Sequence, residues 1–373
     1  MNIDFNEEQE MLKKMAREFL TTKCPGVLVR EMIEDERGYP PSLWKEISEL
    51  GWVGLAFPSK YGGADGSFLD LSILLEEMGR ACFPGPFFST VVLAGMAILH
   101  GGTEEQKKEL LSKLCKGELI ATLALTEAEF NFDSSGVKMK AVAEGDSFVL
   151  NGTKMFVTDA HIADLLICAA RTNNGITVFL VDGKSPGIQT TLLKAVDGSK
   201  LCEVAFKNVK VPAKNMLGKL DKGWEIIDKI LPLAAVARSA EMLGGAQRIL
   251  ELTIQYSNDR RQFGRLIGTF QAIQHHCANM AIDVDGMKMT TYQAAWMLSE
   301  NLPSRKEVAI AKGWASDAFK RVALLGLKVH GGMGFMEDHD ISIFYRKALT
   351  YENSFGDAEF HRDALARELH MVS

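Results

Sequence analysis

Apolar residues recur at helical spacing through the first third of the chain. The first such stretch has apolar side chains at positions 11, 12, 15 and 19, which predicts a helix with one buried face. Residues 6–9 (Asn-Glu-Glu-Gln) and 103–106 (Thr-Glu-Glu-Gln) have the composition of a capping box, a signature of a helix start. We therefore predict that the chain is helical up to about residue 117.

At about residue 119 the pattern changes to short apolar runs separated by turn residues. Glu144-Gly145-Asp146 and Asn173-Asn174-Gly175 each separate two such runs, which predicts two hairpins. Asn151-Gly152 predicts a further turn that leads into a strand at 155–158. Several short strands at this spacing are typical of a compact barrel or sandwich, here of about a hundred residues.

Helical periodicity returns after about residue 218, with long segments at 224–257, 269–299 and 304–329. A glycine-rich stretch at 331–334 ends the third segment, and a shorter helical segment begins at 341. Three long apolar-faced helices predict an antiparallel bundle. The predicted domains are helical at 1–118, β at 119–218 and a helical bundle at 219–373.

Composition narrows the function classes. The chain is 47% hydrophobic and 24% charged, with a formal net charge of -6, and this mildly acidic balance argues against a nucleic-acid partner. Its six cysteines are scattered without a CxxC pair, so we expect reduced thiols and neither a zinc site nor disulfides. No signal peptide and no membrane span are predicted, which suggests a cytoplasmic protein.

Residues 260–264 (Arg-Arg-Gln-Phe-Gly) lie between two of the long helical segments. Two adjacent guanidiniums suit phosphate, because each offers a planar fork of donors. Phe263 offers an apolar face to a ring, and Gly264 allows a close backbone approach. The alternative is a solvated basic helix end with a buried phenylalanine.

Several motifs occur in a characteristic order. They are 123–127 (Leu-Ala-Leu-Thr-Glu), 151–159 (Asn-Gly-Thr-Lys-Met-Phe-Val-Thr-Asp), 206–212 (Phe-Lys-Asn-Val-Lys-Val-Pro), 260–264 with Gln271, and 330–335 (His-Gly-Gly-Met-Gly-Phe). Together they resemble the acyl-CoA dehydrogenase family of flavoproteins over essentially the whole chain. The resemblance implies an α+β protein with an N-terminal helical domain, a middle β-barrel domain and a C-terminal four-helix-bundle domain.

The resemblance also implies a noncovalent FAD between barrel and bundle. Near its isoalloxazine it would place Leu125, Thr126, Phe156 and Thr158. Against the FAD of a neighbouring subunit it would place Arg260, Phe263 and Gln271, and Lys328, Gly331 and Gly332 would lie near the cofactor. An oligomer is therefore implied, a homotetramer or heterotetramer. The alternatives are ordinary strand threonines, a core aromatic, a helix stop and an exposed lysine.

In the family, a carboxylate removes the α proton of an acyl-CoA while hydride leaves Cβ for the flavin. A backbone N–H holds the thioester oxygen, and an electron-transferring flavoprotein accepts the electrons. The usual position of the base corresponds to Phe355, and the second position to Ala234. Neither side chain accepts a proton, although the Phe355 N–H could still hold the oxygen.

Nearby carboxylates are alternative bases. Glu352 would share a face with Phe355 on a continuing helix, Asp357 follows in a loop, and Glu241 lies two helical turns after Ala234. Each could instead be solvated or salt-bridged. Arg238 could face an acyl carboxylate or thioester, or form a salt bridge. Phe132 replaces a serine of the family, which puts CoA contacts there in doubt.

Three functions follow from this resemblance. The first is FAD-dependent α,β-dehydrogenation of an acyl-CoA, with a cyclic or otherwise unusual acyl group. The second is a non-catalytic or half-site subunit that completes a partner's FAD site. The third is an acyl-CoA oxidase, ranked last because such chains are usually longer.

Overall fold

The computed structural model describes residues 5–371. Within that range the chain forms eleven α-helices. They are α1 (Glu7–Lys23), α2 (Gly26–Glu34), α3 (Pro41–Glu49), α4 (Phe68–Arg80), α5 (Met96–Gly101), α6 (Glu104–Cys115), α7 (Trp224–Asp259), α8 (Gln271–Ser299), α9 (Arg305–His330), α10 (Asp340–Asn353) and α11 (Ala358–Glu368). A π-helix, Phe88–Gly95, directly precedes α5.

The strands form one large sheet and one small hairpin. They are β1 (Ala121–Ala124), β2 (Lys140–Glu144), β3 (Ser147–Thr158), β4 (Leu165–Arg171), β5 (Ile176–Asp182), β6 (Ile188–Lys194), β7 (Lys200–Pro212), β8 (Met216–Leu217), β9 (Arg261–Gln262) and β10 (Arg265–Leu266). The large sheet has the order β6-β7-β3-β2-β4-β5-β8, and β1 pairs in parallel with β4. The hairpin is β9-β10.

Both predicted capping boxes are confirmed. Asn6 accepts from the Gln9 N–H at 2.8 Å, and the Gln9 side chain accepts from the Asn6 N–H at 3.1 Å. Thr103 and Gln106 form the same reciprocal pair at the start of α6. Because each pair satisfies otherwise unpaired amides, these short polar motifs locate the helix starts.

The predicted turn at Asn151-Gly152 is wrong. Strand β3 continues through both residues, and its pairing with β7 shifts register between Leu150 and Gly152. The Asn151 side chain accepts from the Asn208 N–H of β7 at 2.8 Å, and Gly152 has φ +151°. Asn-Gly therefore forms a β-bulge here, a feature that favours the same residue types as a turn.

The described chain divides into two compact units. The helical unit contains Ser67–Phe83 with the segments that end at Glu31 and begin at Ala235. The β-containing unit comprises Met32–Gly66 and Pro84–Ala234. The predicted boundaries at 118/119 and 218/219 stay a prediction. No helix within residues 5–371 is both long and apolar enough to span a bilayer.

In the helical unit, α4 and α7 cross at two glycines. A Cβ added at Gly79 would lie 2.0 Å from the carbonyl oxygen of Glu241, and one added at Gly244 would lie 1.8 Å from that of Glu76. The backbones therefore touch, which requires glycine at both points. The buried Glu76 carboxylate accepts from Lys13 at 2.8 Å and from the Tyr292 hydroxyl, so its charge is compensated.

The β-containing unit has its own apolar core between the strands. Phe148 and Phe179 pack with ring centroids 5.1 Å apart, and both rings are buried. Five of the six cysteines are buried as free thiols, and Cys277 is partly buried.

Candidate active site

A buried lysine fixes the end of the strand motif at 123–127. The Lys154 side chain has no exposed surface, and its Nζ lies 3.0 Å from the Leu125 carbonyl oxygen and 2.6 Å from the Glu127 carboxylate. Glu127 also accepts from the N–H groups of Lys138 and Met139, each at 3.0 Å. The sequence motifs pointed to the flanking residues Leu125, Thr126 and Phe156, but not to this contact of Lys154 with Leu125 and Glu127.

The structure brings Thr126 next to Phe156. The Thr126 carbonyl accepts from the Met155 N–H at 2.8 Å, which joins the end of the first motif to the second. Leu125 is buried, whereas Thr126 and Thr158 are partly exposed. Phe156 has φ +56° and is 42% exposed. The alternative that Phe156 is a core aromatic is therefore wrong.

Three phenylalanines form a surface cluster around this position. The Phe130 ring packs edge-on against Phe132 at 5.2 Å and against Phe156 at 5.5 Å, measured between ring centroids. Phe132 thus contributes an aromatic ring at the position where, by the resemblance, the family has a serine.

The Arg-Arg-Gln-Phe-Gly motif forms a displayed hairpin. Helix α7 ends at Asp259, and Phe263 (φ +53°) and Gly264 (φ +78°) form the two-residue turn between β9 and β10. Two positive φ values are characteristic of a type I′ turn, so Gly264 serves the turn. Phe263 is 91% exposed, which rules out the alternative of a buried phenylalanine.

An aromatic stack links the base of this hairpin to the glycine turn after α9. The Arg260 N–H donates to the Tyr256 carbonyl at 2.9 Å, and the Tyr256 ring stacks on His330 at 4.4 Å. Gly331 follows His330 with φ +60°. The Tyr256–His330 contact therefore joins the last turn of α7, which precedes Arg260, to the end of α9, which precedes Gly331.

The exposed groups of this region fit one end of FAD. An aromatic ring, Phe263, and a guanidinium, Arg260, are displayed together, and a Cβ added at Gly331 or Gly332 would meet nothing within 4 Å. Gln271 and Lys328 are exposed as well. A ring, cationic and amide donors, and open backbone are the groups that a diphosphate linked to an adenine requires.

The expected base position lies in a turn. Helix α10 ends at Asn353, and Phe355 follows with φ +58°. The expectation that Glu352 and Phe355 share a helix face is therefore wrong, because the helix does not reach Phe355. Both Glu352 carboxylate oxygens accept from Lys320 Nζ, at 2.9 and 3.0 Å.

The other candidate carboxylates have structural partners too. Asp357 caps α11 by accepting from the Phe360 N–H at 2.8 Å. Glu241 pairs with Arg238, which is the salt-bridge alternative for that arginine. Burial raises the pKa of Glu241, while the charge of Arg238 acts against that rise. The Arg238 guanidinium also lies 4.1 Å above the Tyr351 ring centroid.

Two buried residues that were not predicted from the sequence hold the turn at Phe355 and Gly356. Lys312 Nζ lies 2.8 Å from the Gly356 carbonyl oxygen, and His361 Nε2 lies 3.0 Å from that of Phe355. Burial, with the charge of Arg238 in the same direction, lowers the pKa of Lys312 to about 7. A lysine within the apolar face of α9 was the available signal.

Family comparisons agree with this geometry. Models of three acyl-CoA dehydrogenase domains match the chain, the N-terminal domain at 6–118, the middle domain at 122–209 and the C-terminal domain at 221–370. The predicted α+β fold, with helical, β and helical-bundle parts in that order, is thereby confirmed.

Individual proteins are similar over nearly their whole length. A probable acyl-CoA dehydrogenase of Bacillus subtilis, YngJ, is 32% identical over 380 residues, which cover 99% of this chain and 100% of that protein. Subunit CarC of the caffeyl-CoA reductase–Etf complex of Acetobacterium woodii is 30% identical over 357 residues, covering 93% and 94%. Butyryl-CoA dehydrogenase from Megasphaera elsdenii superimposes with a TM-score of 0.92 at 31% identity, covering 99% and 100%. The chain therefore belongs to the acyl-CoA dehydrogenase family and is an FAD-dependent oxidoreductase.

Proposed function

We propose that the protein oxidises the Cα–Cβ bond of an acyl-CoA thioester and passes the electrons to an electron-transferring flavoprotein. One observation carries this proposal: Lys312 and His361 contact the backbone carbonyls of the turn at Phe355, the position to which the resemblance assigns the thioester contact. The relative named for an Etf complex supports the electron acceptor.

We assign the FAD contacts to two sets of residues. Leu125, Thr126, Phe156 and Thr158 would contact the isoalloxazine, and the Lys154–Glu127 pair keeps their strand end in place. The remaining contacts would come from Arg260, Phe263, Gln271, Lys328, Gly331 and Gly332. When bound, FAD supplies the acceptor for the hydride that leaves Cβ.

Arg260, Phe263 and Gln271 would contact the FAD of a neighbouring subunit in a tetramer, built from identical or unequal chains. The exposed ring of Phe263 supports this assignment, because an apolar side chain at 91% exposure has little to contact within its own hairpin. A cytoplasmic location completes the proposal.

On the substrate side, the Phe355 N–H would hold the thioester oxygen and stabilise the charge that develops there. Glu352 is the first candidate for the base, because its partner Lys320 is 41% exposed and such surface pairs contribute little. Asp357 is the second, since its role as a helix cap competes with proton transfer. Arg238 as a substrate contact ranks below its ion pair with Glu241.

The acyl group is proposed to be cyclic or otherwise unusual. By the resemblance, Phe355 and Phe132 each stand where the family has a polar residue, so each position is more apolar in this chain. The caffeyl-CoA reductase subunit, whose name denotes a ring-bearing acyl group, supports this assignment.

Anaerobic mixing of the holoenzyme with a panel of straight-chain, cyclic and aryl acyl-CoA thioesters tests the proposal. At least one thioester should bleach the flavin absorption band. Glu352→Gln should slow the bleaching at least about a hundredfold, the usual contribution of a general base, and Glu359→Gln should not. A flavin-loaded protein that no thioester bleaches would count against the proposal.

A second candidate function is that of a half-site subunit. It is favoured because each candidate carboxylate already has a partner. Glu352 pairs with Lys320, Glu241 pairs with Arg238, and Asp357 caps helix α11. Such a subunit would complete the FAD site of a partner chain without oxidising substrate itself. Purification of the chain alone with one FAD per chain and turnover would exclude it.

A further inference from the structure

Lys312 is a buried lysine of α9 that holds the turn after α10 on both sides of Phe355. Its Nζ lies 3.1 Å from the carbonyl oxygen of Glu352 and 2.8 Å from that of Gly356, and it also lies 2.7 Å from Ser316 Oγ. The residue has no exposed surface. Because water is excluded, the Lys312 amine, itself held by Ser316, determines where the carbonyls of Glu352 and Gly356 point.

His361 of α11 holds the carbonyl between them. Its Nε2 lies 3.0 Å from the Phe355 carbonyl oxygen. Burial, with the charge of Lys312 in the same direction, lowers the pKa of His361 to about 4, so the imidazole is neutral near neutral pH. Since a carbonyl only accepts, Nε2 carries the proton and donates it.

The turn adopts a backbone that needs such support. Phe355 has φ +58° and Gly356 has φ +93°. A Cβ added at Gly356 would lie 2.3 Å from the Phe360 ring. A non-glycine residue in the left-handed region persists only where its surroundings hold it there.

We propose that Lys312 and His361 are positioning residues, which orient the Phe355 amide toward the oxygen of a bound acyl thioester. The inference rests on the proposed function, because it assigns that oxygen to this amide. Neither side chain contacts the substrate. Their effect is to fix the peptide units on which the Phe355 N–H direction depends, since a donor stabilises developing charge only when its direction is preset.

The test compares two probes on the flavin-loaded protein. Acetyl-CoA has the thioester carbonyl but no Cβ hydrogen to lose, so it binds without being oxidised, and S-ethyl-CoA is the thioether that lacks the carbonyl oxygen. Calorimetric titration gives both affinities for the wild type, Lys312→Met, His361→Leu and Lys320→Met. Lys320 is the matched control, because it lies on the same helix and contacts the Glu352 carboxylate instead of the backbone.

The wild type and Lys320→Met should bind acetyl-CoA about five- to tenfold more tightly than S-ethyl-CoA, the effect of roughly one hydrogen bond. Lys312→Met and His361→Leu should lose most of that preference while binding S-ethyl-CoA as the wild type does. Retention of the preference in either folded variant overturns the inference and leaves the proposed function intact. Absence of the preference in the wild type overturns the assignment of the Phe355 amide itself. If Lys312→Met does not fold, His361→Leu decides alone.

Discussion

Gly244 lies against the backbone of Glu76, so closely that an added Cβ would stand 1.8 Å from the Glu76 carbonyl oxygen. The contact joins α4 and α7 in the helical unit. Gly244→Ala should lower the free energy of unfolding by about 2 to 3 kcal/mol, because two packed backbones cannot separate without cost. Urea unfolding measures the change.

Gly313→Ala is the matched control. It also lies inside a long helix, and its added Cβ would come no closer than 3.4 Å to the nearest side chain. We expect an unchanged or slightly raised unfolding free energy, by up to about 1 kcal/mol, because alanine favours helix. Equal destabilisation by both substitutions would show that close packing at Gly244 is not the cause.

Lys154→Met should destabilise the β-containing unit. It removes the partner of the partly buried Glu127 carboxylate and one donor to the Leu125 carbonyl. A broken buried pair costs about 3 kcal/mol, measured by urea unfolding. Lys140→Met, at an exposed position of β2, is the control and should change little. A Lys154→Met protein as stable as that control would show that the contacts of Lys154 with Glu127 and Leu125 do not stabilise the fold.

The stability contribution of Lys312 should depend on pH. Its pKa is lowered in the folded state from 10.5 to about 7, so between these values the unfolded chain keeps a proton that the folded chain has lost. The unfolding free energy therefore rises with pH in this window. From about pH 7 to about pH 9.5, the wild type should gain on the order of 3 kcal/mol relative to Lys312→Met.

Urea unfolding of both proteins at the two pH values gives this difference. Groups common to the two proteins cancel, which isolates the lysine. A difference that stays constant with pH would mean that Lys312 remains charged in the folded protein.

Phe263→Ala should weaken FAD binding without weakening the fold. The ring is 91% exposed, so the unfolding free energy should change by less than about 1 kcal/mol. Loss of one ring–adenine contact should raise the FAD dissociation constant about tenfold. Met11→Ala, 63% exposed on α1, should change neither quantity. Unaltered FAD affinity in Phe263→Ala would remove this residue from the cofactor site.

Periodicity and short motifs predicted most of the fold. The helix starts at Asn6 and Thr103 were predictable because capping is local chemistry. The bulge at Gly152 was not, because its identity depends on pairing with β7, more than fifty residues away. The capping motifs act within three residues of sequence, whereas Asn151-Gly152 alone does not show which strand pairs with β3.

Contacts between distant residues also determine the site. The motif at 260–264 was recognisable, but the exposure of Phe263 required the type I′ turn. The partners of Glu352 and Glu241 lie on other turns or other helices, so their charge pairing could be listed only as an alternative. The apolar face around Lys312 indicated that this lysine is buried, but its carbonyl partners and that of His361 carry no sequence signature.

The most direct test of the account is a single anaerobic turnover of the purified holoenzyme with an acyl-CoA that bleaches its flavin, followed by mass analysis of the acyl product. We predict a product that has lost two hydrogen atoms from Cα and Cβ, in an amount equal to the flavin bleached. A bleached flavin with unchanged acyl-CoA, or a flavin-loaded protein that no acyl-CoA bleaches, would contradict it.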